Sequence, residues 1–242
     1  MLLAFAIALA SVPLRQIPAL FHRLLNAAIG GNRARESLDQ QVGGIPKGGL
    51  TQICAPVGVN SGRTTLLMSL LAQVTREKEE FCAVVDATDC FDPESASKMG
   101  VCFSRLLWSR CGDRGMKALE RSFRATDILI QNGGFGVIVL NLSYIEEKLI
   151  RKIPHTSWFC LARKIERTST AFVVLLPYSA AQSCAALTLH LGDSQSHWQG
   201  SETVSHSRQV SRIEFKFEIG RTRTKKPVQN VTSSFSARPR WT

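Results

Sequence analysis

Between residues 50 and 177 the chain alternates short apolar runs with longer stretches of helical period, and this alternation limits the fold more than any other feature. LTQICA (50–55), FCAVVDA (81–87), RLLWSR (105–110), FGVIVLNLSYI (135–145) and AFVVLLP (171–177) read as strands, most of them without the polar alternation of a half-exposed strand. TLLMSLLAQVTREK (65–78) carries Leu66, Leu67, Leu70, Leu71 and Val74 along one helical stripe. DRGMKALERSFRATDILIQNG (113–133) and HTSWFCLARKIERTST (155–170) read as two more helices, and SASKMG (95–100) as a short one closed by Gly100. Strands separated by helices pair in parallel, because the helix is the crossover that returns the chain to the same edge. After residue 184 the pattern changes. CAALTLHLG (184–192) reads as a further strand, and RIEFKFEIG (212–220) puts Ile213, Phe215, Phe217 and Ile219 on one face, the mark of a half-exposed antiparallel strand. The prediction is an α/β fold: a mostly parallel sheet flanked by helices, with antiparallel C-terminal strands.

The 242 residues suit one such domain with extensions. The first dozen residues, MLLAFAIALASV, are apolar enough to imitate a signal peptide, but no basic stretch precedes them and they are too short to span a bilayer. With Leu14, Ile17, Leu20, Phe21, Leu24 and Leu25 at helical spacing, residues 1–29 read instead as an N-terminal helical segment that packs on the domain or on a second copy. Residues 30–49 are a glycine- and charge-rich linker, 50–227 the core domain, and 228–242 a basic flexible tail. The segment from 221 onward, RTRTKKPVQNVTSSFSARPRWT, is expected to fray.

A formal net charge of +11 points to a polyanionic partner. Residues 201–242 hold nine Lys/Arg against three Glu, so the C-terminal part carries much of it. Arg208, Arg212, Arg221, Arg223, Lys225 and Lys226 are the candidate DNA contacts, with Arg221 and Arg223 spaced to share one face of a strand. Trp198 and Trp241 lie near basic residues and are candidates for base stacking; a solvated basic tail is the plainer alternative. Seven cysteines without a C-x-x-C pair fit reduced, mostly buried thiols in a cytoplasmic protein, and exclude a disulfide framework or a zinc site. His22, His155, His190, His197 and His206 show no metal or triad spacing, and no serine stands in a nucleophile elbow.

The chemistry-bearing stretch is APVGVNSGRTT (55–65), between the first strand and the first helix of the core. It approaches the phosphate-binding pattern G-x-x-x-x-G-K-[ST]. Gly62 and Thr64 fit, and Gly58, Ser61 and Thr65 lie close by, but Val57 stands at the first glycine and Arg63 at the lysine. Arginine keeps the charge while replacing a compact ammonium with a planar fork. Gly58, Ser61, Gly62, Arg63, Thr64 and Thr65 are therefore the candidate cofactor-binding set for ATP and Mg²⁺. The alternative is a plain helix start, with Ser61 or Gly62 at the cap and the arginine in solvent.

GGIPKGGLTQICAP before this loop and VVDATDCFDPESASKMGV after it resemble the RecA recombinase family, over about residues 43–227 and most specifically over 43–101. SRLLWSR, the MKALERSFRA helix and WFCLARKIERTSTAFVVLL resemble the ImuA proteins, RecA-like accessory factors of bacterial translesion mutagenesis. The resemblance implies where a working ATPase keeps its other groups. A water-activating glutamate is replaced by Thr88, a metal-supporting aspartate by Asn141, and a γ-phosphate-sensing glutamine by Pro177 and Tyr178. Asp89 is the nearby carboxylate placed to substitute for that glutamate, but it stands one residue past the position and on the other face if the strand continues. The DNA-binding loop of the family is here the short SAAQSCAAL, without a basic residue.

These substitutions predict no catalytic residues and no certain cofactor. The expected role is a DNA repair and SOS mutagenesis accessory protein with a degenerate nucleotide site, cytoplasmic and without a membrane partner. Its expected partners are DNA, RecA or translesion polymerase subunits, and a further copy of itself. The competing expectation is a divergent ATP-dependent RecA-type recombinase on single-stranded DNA. A third is a basic structural protein with no repair role.

Overall fold

The computed structural model describes residues 45–77, 79–112, 115–199, 209–222 and 232–237; in the distal parts of the last three strands only the backbone is described. The expected N-terminal helix and most of the linker lie outside these residues, as do Arg208, Arg223, Lys225, Lys226 and Trp241.

The strands are β1 (Gly49–Cys54), β2 (Phe81–Asp86), β3 (Leu106–Arg110), β4 (Phe135–Asn141), β5 (Ala171–Leu176), β6 (Leu187–Gln199), β7 (Gln209–Thr222) and β8 (Thr232–Ala237). They form one eight-stranded sheet in the order β3-β2-β4-β5-β1-β6-β7-β8. Every pairing from β3 to β6 is parallel, whereas β6–β7 and β7–β8 are antiparallel. The fold class read from the sequence is the one observed. Among the described residues the helices are α1 (Arg63–Ala72), α2 (Pro93–Lys98), α3 (Gly115–Asn132), α4 (Glu147–Ile150) and α5 (His155–Ile165), and a π-helical turn, Gln73–Glu77, extends α1.

The alternation of strand faces divides the core in two. Ile53, Val84, Val139 and Val173 face α1 and join Leu66, Leu67, Leu70 and Leu71. Leu50, Val85, Ile138 and Phe172 face α3 and α5 and join Leu119, Leu129, Trp158 and Ile165. Because β1, β4 and β5 are covered on both faces, all of their residues are buried apart from half-buried Phe135, which explains the unbroken apolar runs. Helix α2 begins at Asp92, whose carboxylate accepts from the Glu94 and Ser95 amides, and Gly100 follows its end at φ 91°, a backbone that favours glycine.

Two expectations need correcting. The tail read as frayed contributes β8, which pairs with β7 through Ile213–Glu218, so part of it continues the sheet. Among the thiols, none of which is bonded to another, Cys90 and Cys160 are exposed; the helix and loop that carry them turn those positions outward. No helix among the described residues is long and apolar enough to cross a membrane.

Candidate functional site

Parallel strands place their C-terminal ends along one edge, and there the loop 55–62, the turn after β2, the segment after β4 and the segment after β5 meet. The loop leaves β1 through Ala55, whose N–H donates to the Leu176 carbonyl at 3.0 Å. It turns at exposed Gly58 (φ 84°) and enters α1 through Gly62 (φ 70°), the N-cap, which offers no side-chain cap. Both backbone conformations favour glycine. Gly58, Ser61, Gly62, Arg63, Thr64 and Thr65 are thus gathered at one helix N-terminus. Thr64 is exposed there, while Ser61 is buried and its N–H donates to the Val59 carbonyl at 2.9 Å.

Arg63 is not in solvent, which corrects the plain helix-start alternative. It is 8 % exposed, and its Nη1 donates to the carbonyls of Ala55 (2.9 Å) and Leu176 (3.0 Å), the C-terminal ends of β1 and β5. Its Cζ lies 5.7 Å from the ring centroid of Tyr144, in the segment after β4. Burial pulls the guanidinium below its ordinary pKa, against the opposing influence of Tyr144 and Cys54. Burial also pushes the Cys54 thiol up to about 12, opposed by the charge of Arg63. A single guanidinium nitrogen, Nη1, thus joins the two strand ends.

One strand pair along the edge, Asp86 ends β2 and is fully buried. Its Oδ2 accepts from the Phe91 amide at 2.7 Å, and its Oδ1 accepts from Asn141 Nδ2 at 3.2 Å and, more weakly, from the Thr88 amide at 3.4 Å. Asn141 Oδ1 in turn accepts from the Ser143 amide at 3.2 Å. The amide side chain at 141 therefore both accepts from the turn that follows β4 and donates to the carboxylate of its neighbouring strand. A carboxylate at 141 has no proton with which to make that second contact. The hydroxyl of Thr88 is buried without a hydrogen-bond partner among the described residues. Asp89, at φ 57°, lies past the end of β2 and receives both Nε and Nη2 of Arg110, whose guanidinium also covers the Trp108 ring at 5.0 Å.

The segment after β5 is fastened by a residue that sequence reasoning missed. Gln52, in the middle of β1, donates to Ser179 Oγ (2.7 Å) and Thr188 Oγ1 (2.8 Å) and accepts from the Ala181 amide (3.1 Å). A polar residue inside a buried strand was the available signal, since such a group requires partners. Tyr178 sits under the Arg151 guanidinium, 4.9 Å from its ring centroid, and burial raises its phenol above the ordinary value. A cleft of about 430 Å³ opens beside it, lined by Arg151, His155, Trp158, Tyr178 and Gln182. A second, of about 540 Å³, lies between Pro56, Tyr178 and Ser179 on one side and His190, Phe217 and Glu218 on the other.

Of the predicted DNA contacts, the backbone of Arg212 lies in β7 opposite His197, and that of Arg221 opposite Thr188. The strand ends at Thr222, one residue before Arg223. Trp198 lies in β6 opposite Val210. No group of three or more His, Cys, Asp or Glu that could hold a metal occurs among the described residues.

The RecA N-terminal domain family matches residues 26–145. Over 100 residues, 41% of this chain, the sequence is 41% identical to Protein RecA of Pseudomonas fluorescens strain SBW25 and covers 26% of that protein. It is 38% identical over 100 residues to Protein RecA of Rickettsia canadensis, again 41% of this chain, and 27% of that protein. The chain thus matches about a quarter of the length of these curated relatives. The fold is RecA-like.

Proposed function

We propose that this RecA-like chain is a non-hydrolysing accessory factor of bacterial DNA repair and SOS mutagenesis, of the ImuA kind. It works in the cytoplasm by binding DNA and protein partners such as RecA or translesion polymerase subunits. The observation that carries this reading is the placement of Arg63: the cation at the phosphate-lysine position is turned into the fold and held by the Ala55 and Leu176 carbonyls. A group fixed in this way does not meet a β/γ-phosphate unless two strand-end contacts break. Thr88 has no basic atom to take a proton from water, and Asn141 has no charge to support a metal. Each missing transition-state contact costs about 2.7–4 kcal/mol, or about 10²–10³ in rate, so several together bring turnover to background.

The test is purified full-length chain with ATP, Mg²⁺ and single-stranded DNA. Phosphate release at the no-protein rate is expected; DNA-stimulated turnover above it would sink the reading. Capture of RecA or a polymerase subunit with the tagged chain after DNA damage tests the partner half of the proposal.

A second reading, a divergent ATP-dependent recombinase, is favoured by one feature. Helix α1 starts without a side-chain cap at a loop that leaves Thr64 exposed, and free N–H groups at a helix start suit an anion. Equilibrium dialysis with a slowly hydrolysed ATP analogue separates the possibilities: retention without turnover supports a binding-only site, and retention with turnover the recombinase.

A further inference from the structure

Helices that lead into parallel strands end at the strands' N-terminal edge, so the last turns of α3 and α5 lie on the opposite side of the sheet from the 55–65 loop. Helix α3 buries Ala118, Leu119, Ser122, Thr126, Leu129 and Ile130. Its outward face carries Lys117, Arg121, Arg124, Ile128 and Gln131, all exposed, at spacings of four and three residues. Those positions form one stripe about 21 Å long at the helical rise of 1.5 Å per residue. At its C-terminal end the stripe runs into a cleft of about 400 Å³ lined by Gln131, Arg163, Lys164, Arg167 and Thr168 over Ile130.

The charges on this face are unevenly matched. Lys164 pairs with Asp127, and Arg163 with Glu166 at 3.3 Å. Glu120 is the remaining carboxylate on α3. Lys117, Arg124 and Arg167 form no ion pair among the described residues. Beside the cleft, Phe159 is 54 % exposed, and Arg163 lies over its ring at 5.9 Å. A large aromatic held in solvent next to arginines is a stacking platform, and a line of cations along a helix follows a linear polyanion.

We propose that the α3–α5 face binds single-stranded nucleic acid, with Lys117, Arg124 and Arg167 on successive phosphates and Phe159 against a base. The inference rests on the DNA-binding reading above and adds to it a surface separate from the nucleotide loop. The face sets unpaired cations beside two exposed apolar groups, Phe159 and Ile128, and an aromatic ring among cations suits the bases and phosphates of a nucleic acid strand better than an acidic protein.

Anisotropy of a labelled oligothymidylate on the full chain, from about 50 to 200 mM salt, tests it. The Lys117→Gln/Arg124→Gln/Arg167→Gln variant is expected to bind about 10–100-fold more weakly, with the slope of log K against log salt reduced by about 2, since each single-strand phosphate contact contributes about 0.7. Lys117→Arg/Arg124→Lys/Arg167→Lys keeps both affinity and slope. Phe159→Ala weakens binding about tenfold and leaves the slope unchanged. If the glutamine variant binds as the parent does and only Arg221→Gln/Lys225→Gln/Lys226→Gln loses affinity, the site is overturned while DNA binding stands. If the parent chain does not bind the oligonucleotide, both fall. If polyglutamate replaces the oligonucleotide with the same charge dependence and Phe159→Ala has no effect, the face docks an acidic protein and the inference is wrong.

Discussion

Two neighbouring strand ends hold buried charges of opposite sign, and they are held in opposite ways. At the β5–β1 end the Arg63 cation donates to two carbonyls, beneath an exposed loop and an exposed Tyr144 ring. At the β2–β4 end the Asp86 anion accepts from two backbone amides and from Asn141, and nothing of it reaches solvent. Neither charge is paired with the other. Each is held mainly by backbone dipoles at the C-terminal edge of the parallel strands. The cation corner has an escape to water and the anion corner has none, so the second should be the less tolerant of change.

Asp86→Ala breaks the more enclosed corner and should have the largest effect. It leaves the Phe91 and Thr88 amides and Asn141 Nδ2 without their acceptor, at about 1–3 kcal/mol for each fully orphaned group. A total loss of about 3–5 kcal/mol is expected from the shift in denaturant midpoint at constant m-value. A loss below about 1 kcal/mol would mean that water reaches this corner and that the two ends do not differ in enclosure.

Arg63→Met should cost less, about 1.5–3 kcal/mol, because the Leu176 carbonyl keeps the Ala55 amide and only the Ala55 carbonyl is orphaned. Arg63→Lys sharpens the comparison. Lysine ends one atom short of the position Nη1 holds and lacks the planar group beside Tyr144, so stability should fall part of the way while the loop gains a mobile cation. Tighter retention of an ATP analogue by Arg63→Lys than by the parent is the expected result in equilibrium dialysis. Equal retention in both would show that the side chain at 63 does not decide anion binding.

The contrast between these corners also marks how far the sequence could be read. The alternation of apolar strands and helices was sufficient for the sheet, because strands buried on both faces leave an unbroken apolar signature. The loop was found from its spacing, and the substituted positions at 88, 141 and 178 from the resemblance to the RecA family. The direction of Arg63 was not, since a basic residue at a helix start is ordinarily in solvent, and only the assembled ends of β1 and β5 bring two carbonyls to its Nη1. The same holds for Asp89, whose partner Arg110 stands on a different strand. β8 was missed because a polar, serine-rich segment has no apolar face of its own to announce pairing. Gln52 was visible as an oddity but not as a clamp, since Ser179, Ala181 and Thr188 come to it from two other segments.

The smallest effect belongs to the exposed counterpart of these buried charges, the Asp89–Arg110 pair at the β2–β3 end. Hydrogen bonds from Arg110 hold the Asp89 carboxyl below its ordinary pKa, yet both side chains are open to water, so screening takes most of the interaction. A carboxyl whose pKa is lower in the folded than in the unfolded chain stabilises the fold above the unfolded value, about pH 3.9, and ceases to do so as the pH falls through the folded one. The melting temperature of Asp89→Asn should therefore lie slightly below that of the parent at pH 7 and converge with it in strong acid, and added salt should narrow the gap at neutral pH. Arg110→Gln should follow the same course, with a further loss at every pH from the stacking of its guanidinium on Trp108. A pH-independent gap for Asp89→Asn would remove the ion pair from the account of this edge, since asparagine and aspartate both tolerate the φ 57° backbone there.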